Sequence, residues 1–175
     1  MKKITLPLKT WKTFQYFFLP AILLLTFQIN SAQLSGTYTI GAGEDYETFA
    51  AACEDLELVG VSGPTVFNVV SGTYNEQFTI PFVHTASETN TITFQSQSGN
   101  PEDVILQYNA EGNDDNYIMK IFQANYLTIK NMSFVALDDR YASPLVLENY
   151  AFSLTIEGCR FKGSYNTNAV DRAAL

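Results

Sequence analysis

The sequence LTIKNMSF at residues 127–134 returns as LTIEGCRF at residues 154–161, an offset of 27 residues. Each apolar position of the first copy falls on an apolar position of the second, and polar residues stand between them. This alternation is typical of strands with one inward and one outward face. Asn131 and Gly158 divide the copies, and both residue types tolerate the positive φ of a sharp bend. Each copy therefore predicts two short strands around a corner.

A repeat of this length indicates a solenoid, in which each unit buries its apolar face against the next one. Parallel strands in such a stack lie about 4.8 Å apart, so equal positions of successive turns touch. We therefore expect Phe134 to lie on Phe161 inside the stack, and Lys130 to lie beside Glu157 outside it. The predicted fold is an all-β, parallel β-helix of about three to four coils.

A third strand per coil is predicted where Met119 and Ile121 alternate around Lys120, and Leu145 and Leu147 around Val146. The two copies of this third strand are 26 residues apart, not 27, so one part of the repeat is shorter by one residue. Earlier alternating runs have the same form: Phe67 with Val69, Phe78 with Ile80, Ile92 with Phe94, and Val104 with Leu106. The competing fold is a β-sandwich of the same strands. Hairpin turns usually join sandwich strands, and no Asn-Gly or Asp-Gly dipeptide separates the alternating runs.

Residues 1–32 are predicted to be a Sec-type signal peptide. Four lysines precede the apolar run 17–27, and Ala32 offers a small residue for cleavage. The alternative is an uncleaved anchor, but the run is shorter than the ~20 residues that span a bilayer. We expect a secreted or cell-surface protein with no membrane span after cleavage. Loss of the four lysines changes the formal net charge from −8 to −12, which argues against nucleic acid as a partner.

Residues 33–64 are predicted to form an initial strand and a capping helix, before the coils of residues 65–175. Apolar residues recur at helical spacing from Tyr46 to Val59, and the acidic residues Glu44, Asp45 and Glu47 stand at the N-terminal end. An amphipathic helix here would cover the open apolar end of the solenoid. Cys53 and Cys159 take inward positions, and two buried free thiols are favoured over a disulfide bridge.

Two stretches carry a family resemblance: DYETFAAACEDL at 45–56 and VFNVVSGTYNEQFTI at 66–80. They resemble the opening of right-handed parallel β-helix proteins of the pectin-lyase-like superfamily, especially the pectin methylesterase type. Thr48-Phe49 matches a helix pair of that family, and Gly72-Thr73-Tyr74 with Glu76 matches its turn. The resemblance extends to residue 161. It implies a right-handed parallel β-helix and an activity on acidic polysaccharides that uses carboxylates, an arginine and, in lyases, Ca²⁺.

The same resemblance gives little support to esterase activity, because the chain has no Gly-x-x-Asp-Phe-Ile-Phe-Gly strand. Asp138, Asp139 and Arg140 are the candidate catalytic residues. The two carboxylates could bind Ca²⁺, and Arg140 could act as a lyase base or hold a sugar carboxylate. The alternative is a solvated turn. Asp114 and Asp115 resemble part of a calcium loop without its full spacing, and a polar loop is the alternative there.

Tyrosines recur near the predicted corners, at Tyr108, Tyr117, Tyr126, Tyr141, Tyr150 and Tyr165. Aromatic rings commonly hold sugars, but these rings could equally pack over the edges of the coils. Tyr126, Tyr141 and outward Arg160 are the candidate ligand-binding residues. His84 is the single histidine, which excludes a site built from several histidines.

The function expected from the sequence is that of an exported β-helix module that contacts a polysaccharide or surface glycan, or serves as an adhesin-like scaffold, without a complete active site. Residues 162–168 form a predicted turn, and 169–175 give neither a third strand nor a clear cap. Further coils or C-terminal domains of a longer chain are therefore expected partners. The alternative is a polysaccharide lyase or pectinesterase-like enzyme whose catalytic coils lie beyond residue 175.

Overall fold

The computed structural model describes residues 32–163. Residues 1–31 of the predicted signal peptide and residues 164–175 lie outside the described part. The described chain contains one helix, α1 (Phe49–Val59), and twelve strands. The strands are β1 (Leu34–Ile40), β2 (Val61–Val69), β3 (Gly72–Asn75), β4 (Phe78–Ile80), β5 (Ile92–Ser96), β6 (Val104–Tyr108), β7 (Met119–Phe122), β8 (Asn125–Lys130), β9 (Ser133–Ala136), β10 (Leu145–Glu148), β11 (Phe152–Glu157) and β12 (Arg160–Lys162).

The strands form three parallel sheets. The first sheet has the order β1-β2-β5-β8-β11, the second β12-β9-β6-β3 and the third β10-β7-β4. The chain passes through the three sheets in turn and then returns to the first, one strand further along. Every strand pair is parallel. The predicted parallel β-solenoid is therefore confirmed, and the hairpin-linked sandwich is excluded.

The repeated phrase forms β8 and β9 in one turn and β11 and β12 in the next. Ile129 pairs with Ile156 and Lys130 with Glu157 in the first sheet, as predicted by the 27-residue offset. The Lys130 Nζ lies 3.1 Å from the Glu157 carboxylate. Asn131 and Gly158 take φ values of 52° and 63° at the two corners. Inward and outward positions of successive turns therefore stack in register.

The residue that separates the two offsets lies between β10 and β11. Met119 pairs with Leu145 in the third sheet, 26 positions on, whereas Asn125 pairs with Phe152 in the first sheet, 27 positions on. The connection between these strands contains Tyr150, whose side chain is 72% exposed. The longer turn therefore places an extra aromatic residue on the surface of this corner.

The initial strand belongs to the solenoid, because β1 pairs in parallel with β2 and becomes the first of five strands in its sheet. The helix begins at Phe49, not at Tyr46 as predicted from the apolar spacing. Tyr46 instead forms a parallel bridge with Ile40, and its hydroxyl donates to Asp55 at 2.7 Å. The Thr48 hydroxyl caps the helix by accepting from the Ala51 N–H at 3.1 Å.

The capping helix closes the N-terminal end of the apolar interior. Phe49 is fully buried and stacks on Phe78 and Phe94, with ring centroids 4.9 and 6.0 Å apart. Phe94 stacks in turn on Phe67 of β2, the neighbouring strand of the first sheet, with ring centroids 4.6 Å apart. A column of aromatic rings therefore joins the helix to the first two turns. Stacked pairs of this kind add to the stabilisation that burial alone provides.

The acidic group at the helix N-terminus is Glu76, which follows β3. Its two carboxylate oxygens accept from the Phe49 and Ala50 N–H groups, both at 3.1 Å. Burial raises the pKa of Glu76, and these two hydrogen bonds oppose that rise. Glu44, Asp45 and Glu47 precede the helix as predicted, but they lie outside its first turn, which holds no acidic residue. Asp45 instead accepts from the Thr39 N–H at 2.8 Å.

The last described turn leaves its inward side chains partly exposed. Ile156 is 37% exposed, whereas Ile129, its partner one turn earlier, is fully buried. Both cysteines are free; Cys53 is buried, but Cys159 is half-buried because it belongs to this last turn. The prediction of two buried thiols is therefore right for Cys53 alone. Within residues 32–163, the only helix is too short to cross a membrane.

Candidate functional site

An open groove of about 500 Å³ lies on the first sheet, near the beginnings of its strands. Its lining residues are all polar: Glu88, Thr91, Tyr126, Thr128 and Ser153. They come from three successive turns of the solenoid and from the connection that leads into β5. The groove therefore depends on the stacking of turns that lie far apart in the sequence.

Tyr126 and Ser153 hold the same position in two successive turns. Each directly precedes a leucine of the repeated phrase, and the two leucines pair with each other. Both residues have φ of 53°. This left-handed conformation is uncommon for a residue as large as tyrosine, and strained backbone of this kind clusters at functional sites. The repeated bend sets a phenol and a hydroxyl side by side along the edge of the groove.

Glu88 and Thr91 belong to the connection between β4 and β5. Ser87 and Asn90 exchange two backbone hydrogen bonds, both 3.1 Å long, and so close a tight turn that carries Glu88. The Glu88 side chain is exposed. Its carboxylate makes no ion pair or hydrogen bond with any side chain or backbone group of residues 32–163. The groove thus contains one carboxylate that is available to a ligand.

The charge around the groove is one-sided. Residues 33–119 contain thirteen acidic residues and neither lysine nor arginine. The basic residue on the outer face of β8 is Lys130, and its ammonium group pairs with Glu157. Within residues 32–163, no basic side chain lines the groove. The formal charge of the described residues that line the groove is therefore −1, from Glu88, which favours neutral or cationic ligands.

A row of outward side chains, four of them threonines, crosses the first sheet beside the groove. In register from β1 to β11, the row holds Thr37, Val66, Thr93, Thr128 and Thr155. The parallel outward row next to it contains Asn68 and Gln95, joined by a side-chain hydrogen bond of 2.9 Å. Neighbouring members of a row are separated by about 4.8 Å, the distance between strands. This face can therefore offer hydrogen bonds at regular spacing along the solenoid axis.

The predicted catalytic residues lie at another corner, between β9 and β10. One carboxylate oxygen of Asp138 accepts from the N–H groups of Arg140 and Tyr141, both at 2.6 Å. These hydrogen bonds lower the pKa of Asp138. Asp139 follows in the same turn, and none of these four residues lines the groove. Catalysis by Asp138, Asp139 and Arg140 stays a prediction.

The predicted calcium residues Asp114 and Asp115 lie in the connection between β6 and β7. The Asp115 carboxylate accepts from the Glu111 and Gly112 N–H groups at 2.9 and 2.7 Å, and these bonds lower its pKa. It thereby closes its own loop. Within residues 32–163, no three histidine, cysteine or acidic side chains gather where they could hold a metal ion. Calcium binding at Asp114, Asp115, Asp138 or Asp139 stays a prediction.

Of the three predicted ligand-binding residues, the structure places Tyr126 in the groove. Arg160 of β12 forms an ion pair with Glu102, which lies in the connection before β6. Tyr141 is half-buried at the corner after β9. Glu88, Thr91 and Ser153, which also line the groove, were not among the residues predicted from the sequence. The 27-residue offset would have found Ser153 from Tyr126, whereas no repeat marks the connection that carries Glu88 and Thr91.

Comparisons with known proteins identify the fold. Two crystal structures of the pectin methylesterase from Aspergillus niger are similar to this chain, one of the deglycosylated and one of the penultimately deglycosylated form. They share 20% and 21% sequence identity with it, and both have a TM-score of 0.52. Each match covers 73% of this chain and 43% of the enzyme, so the chain spans less than half of the enzyme's length. The likeness shows a right-handed parallel β-helix, as predicted.

Sequence comparisons give no further relative. No protein-family model matches the chain. No curated protein matches it either.

Proposed function

We propose that the chain is a polysaccharide-binding module of an exported protein, and that the groove on the first sheet is its binding site. The observation that carries the proposal is the composition of the groove, which combines the Tyr126 ring with three hydroxyl groups and the Glu88 carboxylate, which makes no ion pair within residues 32–163. Sugars present apolar faces and many hydroxyl groups, so an aromatic ring among hydrogen-bonding side chains matches them.

The position of the groove supports a polymeric ligand. It is open rather than enclosed, and Thr128 belongs both to its lining and to the row of outward threonines. A chain of sugar units that follows this row would meet one threonine hydroxyl on each of the strands β5, β8 and β11, which are about 4.8 Å apart. The name of the similar enzyme, a pectin methylesterase, also associates this fold with a polysaccharide.

The groove favours binding over turnover. Hydrolysis or elimination on a polysaccharide needs a positioned acid and base, and often an arginine or metal beside them. Among the described residues, a single carboxylate and no basic side chain line the groove. Asp138 and Arg140, the candidates for a lyase or esterase, lie at a different corner of the coil. A polysaccharide lyase or esterase therefore remains the alternative function, and the residues that would support it lie outside this groove.

A glycan array with the full chain tests the proposal, followed by titration of the best ligand with two tyrosine variants. Tyr126→Ala should weaken binding about tenfold, because a ring stacked on a sugar contributes on the order of 1 kcal/mol together with its buried area. Tyr141→Ala is the matched control at the rival corner and should bind as the parent chain does.

Two results would overturn the proposal. One is the absence of any glycan ligand, and the other is a loss of binding in Tyr141→Ala while Tyr126→Ala retains it. Turnover of a polysaccharide that Asp138→Ala or Arg140→Ala abolishes would support the enzyme instead.

A further inference from the structure

The Glu88 carboxylate sets the charge of the groove. It is exposed at the tip of the turn closed by Ser87 and Asn90, and no cation of residues 32–163 pairs with it. The remaining lining groups, on Thr91, Tyr126, Thr128 and Ser153, are hydroxyls that can accept as well as donate hydrogen bonds. Every lining side chain can therefore accept a hydrogen bond, and none carries a positive charge.

From this arrangement we infer that the groove selects a glycan with free amino groups, such as a glucosamine polymer, and rejects polyuronates. This inference rests on the proposed function of the same groove. An ammonium group on the sugar forms a charge-assisted hydrogen bond with Glu88, which is about twice as strong as a neutral one. The neighbouring hydroxyls accept the remaining ammonium protons.

A polyuronate meets the opposite situation. Its carboxylates would lie beside Glu88 with no lysine or arginine in the groove to compensate, since Lys130 is engaged by Glu157. The surroundings add to the repulsion, because residues 33–163 carry 17 acidic and five basic residues. Like charges brought together at a binding surface disfavour a partner strongly. The ligand class therefore differs from the pectin in the name of the similar enzyme.

Calorimetric titration of the full chain with three hexasaccharides tests the inference: glucosamine, N-acetylglucosamine and galacturonate oligomers, at a pH where the sugar amine is protonated. The glucosamine oligomer should bind at least tenfold more tightly than the other two, and added salt should reduce the difference. Glu88→Gln should lower its affinity about tenfold, as expected for loss of one hydrogen bond to a charged group.

Glu57→Gln is the control variant. It distinguishes binding at a specific site from a general attraction between an acidic protein and a polycation. Glu57 is exposed on α1, outside the groove, and its replacement removes the same charge. This variant should keep its affinity within about twofold. Equal losses of affinity for the glucosamine oligomer in Glu88→Gln and Glu57→Gln would overturn the inference.

The outcomes also separate this inference from the proposed function. If the acetylated or the galacturonate oligomer binds as well as the glucosamine oligomer, the amino-glycan preference is wrong and the groove remains a glycan site. If none of the three oligomers binds and the glycan array is also negative, both are wrong.

Discussion

The ring of Phe134 stacks on the ring of Phe161, with centroids 5.0 Å apart and an interplanar angle of 10°. The two residues pair in the second sheet, 27 positions apart in the sequence. On the outer face of the first sheet, the same offset brings Lys130 to Glu157. A single register therefore satisfies the apolar interior and the charged surface together. A shift by one residue would reverse both faces, which is why the repeat fixes the fold.

The aromatic stack predicts unequal costs for two alanine variants. Phe134 is fully buried, so Phe134→Ala should reduce the free energy of unfolding by about 3–5 kcal/mol. Phe161 is half-buried in the last described turn, so Phe161→Ala should cost clearly less. Urea denaturation followed by circular dichroism measures both values. Equal costs would show that Phe161 is covered as completely as Phe134.

The Glu76 carboxylate is predicted to anchor the capping helix. Glu76→Ala leaves the Phe49 and Ala50 N–H groups without their acceptor, so it should cost about 0.5–2 kcal/mol, as loss of an N-terminal cap does. Glu47→Ala removes an exposed acid close to the same helix end and should change stability by less than about 0.5 kcal/mol. A larger effect at Glu47 than at Glu76 would contradict the assignment. Thermal or urea unfolding of the two variants measures both changes in stability.

Glu76 also gives the stability a pH dependence. Its pKa is raised in the folded chain by burial, so folding favours the protonated form. That contribution is present below the ordinary glutamate pKa of about 4.3 and is lost as the pH rises through the raised value. The stability of the parent chain relative to Glu76→Gln should therefore fall as the pH rises above the ordinary glutamate pKa of about 4.3. A difference that grows over this range would mean that the two N–H groups outweigh burial.

The ion pair between Lys130 and Glu157 should contribute weakly and depend on salt. Both side chains are partly exposed, so a double-mutant cycle with alanine should give a coupling of roughly 0.2–1 kcal/mol. Raising the ionic strength to 1 M should remove most of it, because the screening length falls to about 3 Å. A coupling that survives high salt would indicate a buried pair. The pair of Lys120 and Glu148, at 3.3 Å, offers a second cycle for comparison.

Gly158 is predicted to resist substitution. It has φ of 63°, and a Cβ there would overlap the Oδ1 atom of Asn131 in the preceding turn. Gly158→Ala should therefore cost about 1–2 kcal/mol from the backbone alone, and more from the overlap. The added variant Asn131→Gly should restore part of the loss. Gly112→Ala is the control, because a Cβ at Gly112 meets only an ordinary contact with Asp115.

The fold could be predicted from the sequence because its information is local and repeated. Alternating apolar residues give the strands, and the offset between two phrases gives the register of β8 with β11. The acid at the helix N-terminus could not be read in this way. Glu44, Asp45 and Glu47 are close to the helix in sequence, but Glu76 reaches it from the next turn of the chain.

The groove was predicted only in part, for a similar reason. Tyr126 stood out as an aromatic residue at a corner, and the repeat could have added Ser153. Glu88 lies in the connection between β4 and β5, which spans residues 81–91, whereas later turns make the same passage in two or three residues. An insertion without a counterpart in other turns has no periodic signal. Only the folded chain brings Glu88 and Tyr126 into one groove.

A parallel β-solenoid requires that equal positions of successive turns lie on one another. Methyl NOE spectroscopy of a chain labelled at isoleucine tests it most directly, with Ile129→Val and Ile156→Val variants for assignment. We predict a strong cross-peak between the methyl groups of Ile129 and Ile156, because the two residues pair in the first sheet. The absence of this cross-peak, or cross-peaks that place β8 and β11 antiparallel, would contradict the solenoid and the groove built on it.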